Sequence, residues 1–238
     1  MQPKGVLWRL ALAVSGGEAY ASIQKPSGSF VTAKLYKSAV GSGTWTQVRG
    51  VAPQNGLTAF GHSAWAGVAP DLWTTANSGK TWTKLSFNCP KTVLSPSEVA
   101  ASSPSDIAIA CSDQGYPQPG MSIKEVFAST NGGRAFHEVG QPSEAGQVYQ
   151  LAMVPGNPKV LTLEAASGAT FLDRSVNGGK TWAQAEFFDG GTGMRDLAYV
   201  SATTGYTVHV SDSPALAYGR GLLKTTNAGK TWTTVKIP

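Results

Sequence analysis

Two cysteines, three histidines and four methionines are all that 238 residues hold of those types, and charged residues make up only 14%. No apolar run approaches the ~20 residues that a membrane-spanning helix needs, so no such anchor is expected. The 19 Lys and Arg outnumber the 14 Asp and Glu, giving a net charge of +5, yet they stand singly along the chain. Without a basic run, nucleic acid is not an expected partner. His62, His137 and His209 fall at unrelated points, and no Gly-x-Ser-x-Gly elbow exists. That argues against a zinc site and a hydrolase triad, so neither a metal nor a cofactor is expected.

What is abundant is glycine (28) and proline (14), with Ser and Thr throughout. This mixture suits short strands joined by many turns and disfavours helices. The first residues, MQPKGVLWRLALAVSGGEAYA, combine early positive charge with a short apolar run, as a signal peptide would. The polar Ser15-Gly16-Gly17-Glu18 breaks that run too soon. The stretch reads instead as the first strand of the fold, and an export signal would lie upstream of residue 1.

Eight residues recur along the chain: TANSGKTW (75–82), STNGGRAF (129–136), SVNGGKTW (175–182) and TTNAGKTW (225–232), with a worn fifth copy, SAVGSGTW (38–45). Each box follows a short apolar strand: Leu35-Tyr36, Leu72-Trp73, Val126-Phe127, Leu172 and Leu222-Leu223. Upstream lie two more strand-like runs per unit, clearest in LTAFG and SAWAGVA, EVAASS and DIAIACS, YQLAMV and KVLTLEA, RDLAYV and GYTVHV. Four short strands per unit at this period predict an all-β fold, a β-propeller of four-stranded antiparallel blades. The units run approximately 5–50, 52–87, 89–141, 142–187 and 188–238, in one domain. Five blades are expected, the alternative being part of a six- or seven-bladed ring.

The box chemistry is that of a hairpin tie. The hydroxyls of Thr75, Ser129, Ser175 and Thr225, and the amides of Asn77, Asn131, Asn177 and Asn227, are placed to bond backbone groups inside a tight turn. Gly79, Gly133, Gly179 and Gly229 supply positive φ. The closing aromatics Trp82, Phe136, Trp182 and Trp232 (Trp45 in the worn copy) are expected to fold over apolar surface between units. Lys80, Arg134, Lys180 and Lys230 should emerge together on one face. All these residues are read as scaffold.

The pattern S/T-x-D/N-x-G-x-T-W resembles the Asp-box, or BNR repeat, of sialidases, sortilin-type receptors, certain xyloglucanases and photosystem II assembly factors. SATTGYTV (201–208) and LLKTTNAGKTW (222–232) resemble the last group most closely. The resemblance implies a propeller whose boxes lie on the face opposite the functional one. Asn stands at the third box position in all four good copies, so cation binding at the boxes is not expected. The Arg-Ile-Pro sequence that announces sialidases is absent, and so is the arginine-rich patch of the photosystem factors.

On the face opposite the boxes the long loops are 24–33, 112–125 and 211–221, with links at 88–97 and 187–194. Tyr116, Phe188, Tyr218 and Arg220 are candidate ligand contacts in these segments. Aligned starts of the innermost strands place Arg9, Glu98, Gln150 and Asp196 at one level near the channel mouth, with Gly56 as the plain member. These four form a candidate mixed-charge ring for a polar ligand. The bland alternative is that they are solvated strand ends. Asp113, Glu164, Asp189, Asp196 and Asp212 map to the same face and keep a carboxylate-pair glycosidase mechanism open. Asp173 replaces an apolar residue of the other units, and a partly exposed side chain paired with Arg174 or a backbone donor is expected there.

The functional expectation is non-catalytic, extracellular binding of a protein or glycan. The alternatives are a secreted glycoside hydrolase or lyase, and an assembly factor like the photosystem-associated propellers. Cys89 and Cys111 are expected to pair in a disulfide, although strict strand pairing would set Cys111 opposite Pro96. Such a bridge would place the protein in a secreted, cell-surface or periplasmic compartment.

Overall fold

A computed structural model describes residues 9–27, 30–53, 55–68, 71–85, 87, 89, 95–113, 120–189, 193–209 and 221–236. The chain forms five consecutive four-stranded antiparallel sheets, a five-bladed β-propeller. Blade 1 holds β1 (Arg9–Ser15), β2 (Glu18–Ser27), β3 (Phe30–Ala39) and β4 (Thr46–Val48). Blade 2 holds β5 (Asn55–Phe60), β6 (Ser63–Val68), β7 (Asp71–Thr75) and β8 (Thr83–Leu85). Blade 3 holds β9 (Ser95–Ala101), β10 (Ile107–Ser112), β11 (Lys124–Ser129) and β12 (His137–Gly140). Blade 4 holds β13 (Gln147–Val154), β14 (Asn157–Ala166), β15 (Ala169–Ser175) and β16 (Ala183–Asp189). Blade 5 holds β17 (Met194–Tyr199), β18 (Gly205–His209), β19 (Gly221–Thr225) and β20 (Thr233–Thr234).

An inner blade has a neighbour on both faces, so its second strand cannot alternate apolar with polar. Ile107 to Ser112 of β10 are all buried, and Val160 to Ala166 of β14 likewise. The runs DIAIACS and KVLTLEA in the sequence therefore have a packing cause.

Each box closes as its chemistry requires. The Gly79 N–H donates to Thr75 Oγ1 at 3.0 Å, and the Thr81 N–H donates to Asn77 Oδ1 at 3.0 Å. The same pair of bonds recurs around Ser129 and Asn131, Ser175 and Asn177, and Thr225 and Asn227. The fourth residue of every box, Gly41 included, also has positive φ, with Ser78 at 57° and Ala228 at 55°. In the four good boxes its N–H reaches a carbonyl in or just beyond the first hairpin turn of the same blade, at His62, Ser105, Lys159 and Thr203. The first and third turns of a blade thus share one end of the molecule. Lys80, Arg134, Lys180 and Lys230 are all exposed at that end.

Buried apolar clusters fill the seams between consecutive blades. Tyr20, Leu35 and Val51 meet Ala64 and Ala66 between blades 1 and 2. Trp65, Leu72 and Phe87 meet Val99, Ile107 and Ile109 between blades 2 and 3. Ala108, Ala110 and Val126 meet Leu151, Leu161 and Leu163 between blades 3 and 4. Leu172 meets Leu197, Leu223 and Trp232 between blades 4 and 5. The box aromatics belong to these seams and lean on the preceding blade. Trp82 meets Tyr20 edge-on with ring centroids 6.0 Å apart, and Phe136 lies 4.7 Å from Phe87.

Cys89 and Cys111 are joined in a disulfide, with Cα atoms 5.9 Å apart. Cys111 does sit opposite Pro96 in the ladder, so the link carrying Cys89 folds back to reach it. Asp173 takes the expected backbone donor, at Ser143, but departs from expectation in its burial and its charged neighbour. It is buried rather than partly exposed, and the charge that faces it belongs to Lys124 of blade 3, not to Arg174. Arg174 instead donates through Nε to the Ala228 carbonyl of blade 5 at 2.7 Å. Burial raises the Asp173 carboxyl above its usual range, against the pull of Lys124 and a backbone bond from Ser143. Burial lowers Lys124 to about 8, while its ammonium donates to the carbonyls of Ser122, Ser143 and Ala145. The polar break in the repeat thus places a buried carboxyl group of blade 4 in the field of a buried lysine of blade 3.

Trp232 is buried, whereas Trp182 is half-buried and its indole N–H donates to the Gly179 carbonyl. Trp232→Ala should cost about 3–5 kcal/mol of unfolding free energy, the range for emptying a buried aromatic site. Trp182→Ala should cost distinctly less. Urea unfolding of both variants checks the order, and equal losses would contradict this account of the seams.

Candidate functional site

The five inner strands β1, β5, β9, β13 and β17 line a central channel of about 810 Å3. All five start at the end opposite the boxes. Four of them carry a register break close to that end. In β5 Asn55 faces Gly67 and Leu57 faces Ala66, leaving Gly56 over. In β9 the extra residue is Ser97, between Pro96 and Glu98. In β13 it is Tyr149, between Val148 and Gln150. In β17 Arg195 faces Val208 and Ala198 faces Tyr206, so Asp196 and Leu197 share one partner. A bulge bends a strand and re-aims its side chains, and such bulges favour barrel rims and binding sites. β1 alone runs unbroken, from the Arg9–Gln24 pair to the Ser15–Glu18 pair.

Glu98, Gln150 and Asp196 line the channel wall at the bulged ends, with Tyr149 of the β13 bulge and with Gln24 of β2, opposite Arg9 in the unbroken blade 1 ladder. Asp196 is exposed and holds φ at 58°, a left-handed conformation uncommon for a residue with a side chain. Gly56 has a stricter reason for being plain. A Cβ there would stand 2.6 Å from the Val99 backbone nitrogen of blade 3. The rim is therefore two carboxylates, two carboxamides and a phenol, an arrangement rich in acceptors. Arg9 lies at the start of β1, and its side chain is outside the described residues.

The other candidates divide. Phe188 is not a loop residue: it lies in β16, half-buried, with its ring 4.8 Å from that of His209. It packs against the seam of blades 4 and 5. Tyr116, Tyr218, Arg220 and Asp212 lie outside the described residues. Among the remaining acids, Asp113 and Glu164 are buried, while Asp189 is exposed. Burial pushes the Tyr20 phenol up to about 12, helped by Glu18, and raises Tyr199 as well. Neither phenol is activated as a nucleophile. Among the described residues no group of three or more His, Cys, Asp and Glu could hold a metal ion. A smaller cavity, of about 380 Å3, lies between blades 1 and 2 among Arg49, Trp73, Lys80 and Trp82. It is a gap in one seam, whereas the channel gathers residues from every blade.

The bulges, Tyr149 and Gln24 were missed in the sequence. Gly56 was the available signal, because glycine inside a strand marks a bulge or a close backbone approach.

Known proteins share this fold at low identity. No family model and no curated protein matches the chain. Among solved structures, a GH74 enzyme of Niastella koreensis superposes with TM-score 0.61 at 18% identity, over 94% of this chain and 37% of that one. A protein of unknown function from Dyadobacter fermentans gives 0.62 at 14%, over 97% and 83%. A Trypanosoma rangeli sialidase gives 0.55 at 13%, over 93% and 45%. The chain thus spans 37% of the GH74 enzyme and 45% of the sialidase. At these identities the likeness is one of fold.

Asp196→Gly should relieve the left-handed residue and leave the protein as stable or up to about 1 kcal/mol more stable. Urea unfolding reads this directly. A loss of stability would mean that the carboxylate is a structural cap and not a group held at the rim.

Proposed function

We propose that the chain is a non-catalytic binding module of the Asp-box type. It takes its ligand at the channel mouth opposite the boxes, and the ligand is a basic side chain of a partner protein. The observation that supports this reading is the recurrence of a bulge at one level in four inner strands. A strand end that were merely solvated has no need to break its ladder, and one of the breaks holds Asp196 in a left-handed conformation. The chemistry favours the occupant. Glu98 and Asp196 bring negative charge to a confined mouth, with Gln24, Gln150 and the Tyr149 phenol around it. A lysine or arginine side chain carries the opposite charge and can donate to these groups, whereas an acidic sugar meets like charge. The disulfide fits a partner met outside the cytoplasm, in an extracellular or periplasmic space.

The test is a parallel screen of the protein on a glycan array and on an array of lysine- and arginine-containing peptides, with the Glu98→Gln, Asp196→Asn double variant beside it. Binding to basic peptides should weaken with added salt and fall by about tenfold or more in the double variant, as expected when charged partners are removed. Glycan binding that the double variant retains in full would contradict the proposal and favour a sugar-binding role.

A further inference from the structure

Five blades in a closed ring have five seams, yet among the described residues buried clusters fill only the four between consecutive blades. Among the described residues no blade covers the face of blade 1 that looks away from blade 2. Leu10 and Leu12 are each 54% exposed and Val14 is 62% exposed. The residues equivalent to Leu10 in blades 3, 4 and 5 are Val99, Leu151 and Leu197, at 3%, 5% and 6%, each buried against the preceding blade. Trp45 is 45% exposed, while its counterpart in blade 5, Trp232, is 7% exposed. The far face of blade 5 is open in the same way. Tyr206 and Val208 are only half-buried there, where Tyr20 and Ser22, and Thr162 and Glu164, are fully covered by a following blade.

One further residue says what these faces are shaped to meet. The residue just before a box reaches the next blade's box in two places. Lys37 Nζ donates to the Ser78 carbonyl at 2.9 Å, and Arg174 Nε donates to the Ala228 carbonyl at 2.7 Å. Ser78 and Ala228 are the fourth residues of their boxes, with positive φ. Lys224 stands just before the fifth box, and among the described residues no blade packs beyond it. Its ammonium lies 5.8 Å from the centroid of the Tyr206 ring in the same blade. The first box in the chain keeps a left-handed fourth residue, Gly41, with φ at 85°. Its carbonyl is the acceptor homologous to those of Ser78 and Ala228.

We infer that the occupant of this open seam is a second copy of the chain. The far face of blade 5 in one molecule packs on the open face of blade 1 in another, with Lys224 donating to the partner's Gly41. Both halves of the contact are repeats of seams that this chain already forms within itself. An apolar stripe of this kind is a recognised mark of association. The contact is head-to-tail, so every dimer still carries one face of each kind and can add further copies.

Sedimentation velocity over a concentration series tests this with the intact, oxidised chain. The wild type should show a mass that rises with concentration through and beyond twice 24.8 kDa. Leu12→Glu blocks the blade 1 face and Lys224→Glu blocks the blade 5 face. Each variant alone should sediment as a monomer, and an equimolar mixture should form a one-to-one dimer and nothing larger. Leu10→Gln serves in place of Leu12→Glu should that variant not fold. A wild type that stays monomeric throughout the series overturns the inference. So does a single variant that self-associates as the wild type does, since a face would then pair with its own kind or elsewhere.

Discussion

The bond on which the rest depends is the one from the fifth box residue to the first. In each good box a glycine N–H donates to a Ser or Thr hydroxyl, at 3.0, 2.9, 2.8 and 2.9 Å along the chain. That bond folds the hairpin so tightly that the glycine itself becomes the surface presented to the preceding blade. A Cβ on Gly79 would stand 2.9 Å from the Tyr20 ring, and one on Gly133 2.6 Å from Leu85. A Cβ on Gly179 would stand 2.8 Å from Val139. The box is thus less a turn than a docking foot, and glycine is required there by contact as well as by φ. The aromatic three residues on then fills the groove that the foot leaves.

This foot points one way. Each box docks backward onto the blade before it, so a chain of such units grows by nearest-neighbour seams, as repeat proteins do. Among the described residues no blade stands behind the foot of blade 1, whose box has lost the asparagine and the fifth-position glycine. Among the described residues no blade docks on the far surface of blade 5. The exposure of Leu10, Leu12 and Val14 follows from the direction of the foot. The solved propellers that resemble this chain share its blade architecture at 13% to 18% identity.

Much of this was legible in the sequence because the repeat reports local chemistry. Ser or Thr, Asn, Gly and an aromatic at fixed offsets announce the hairpin wherever it falls, and the four-strand units follow from the runs between them. The disulfide was legible because only one pairing was available. What escaped was set by contacts between blades. Asp173 was placed by its own strand, but its environment is made by Lys124 of another blade. Phe188 looked like part of a polar link and proved to be the end of a seven-residue strand against His209. The rim bulges are invisible to a period-two reading, since one extra residue shifts the register without changing the composition. The polar level at Glu98, Gln150 and Asp196 could be aligned, while the reason that Gly56 breaks it lay in the backbone of blade 3.

If seams are built by backward docking and the first-to-last seam is unbuilt, stability must be graded along the chain. Native-state hydrogen exchange of the dilute, monomeric protein, resolved blade by blade, tests this most directly. Amides of β10 and β14, in blades with neighbours on both sides, should exchange only through global unfolding. Amides of β2 in blade 1 and β18 in blade 5 should exchange through a smaller opening and be measurably less protected. Equal protection in all five blades would show a sealed ring, and the directional account would be wrong.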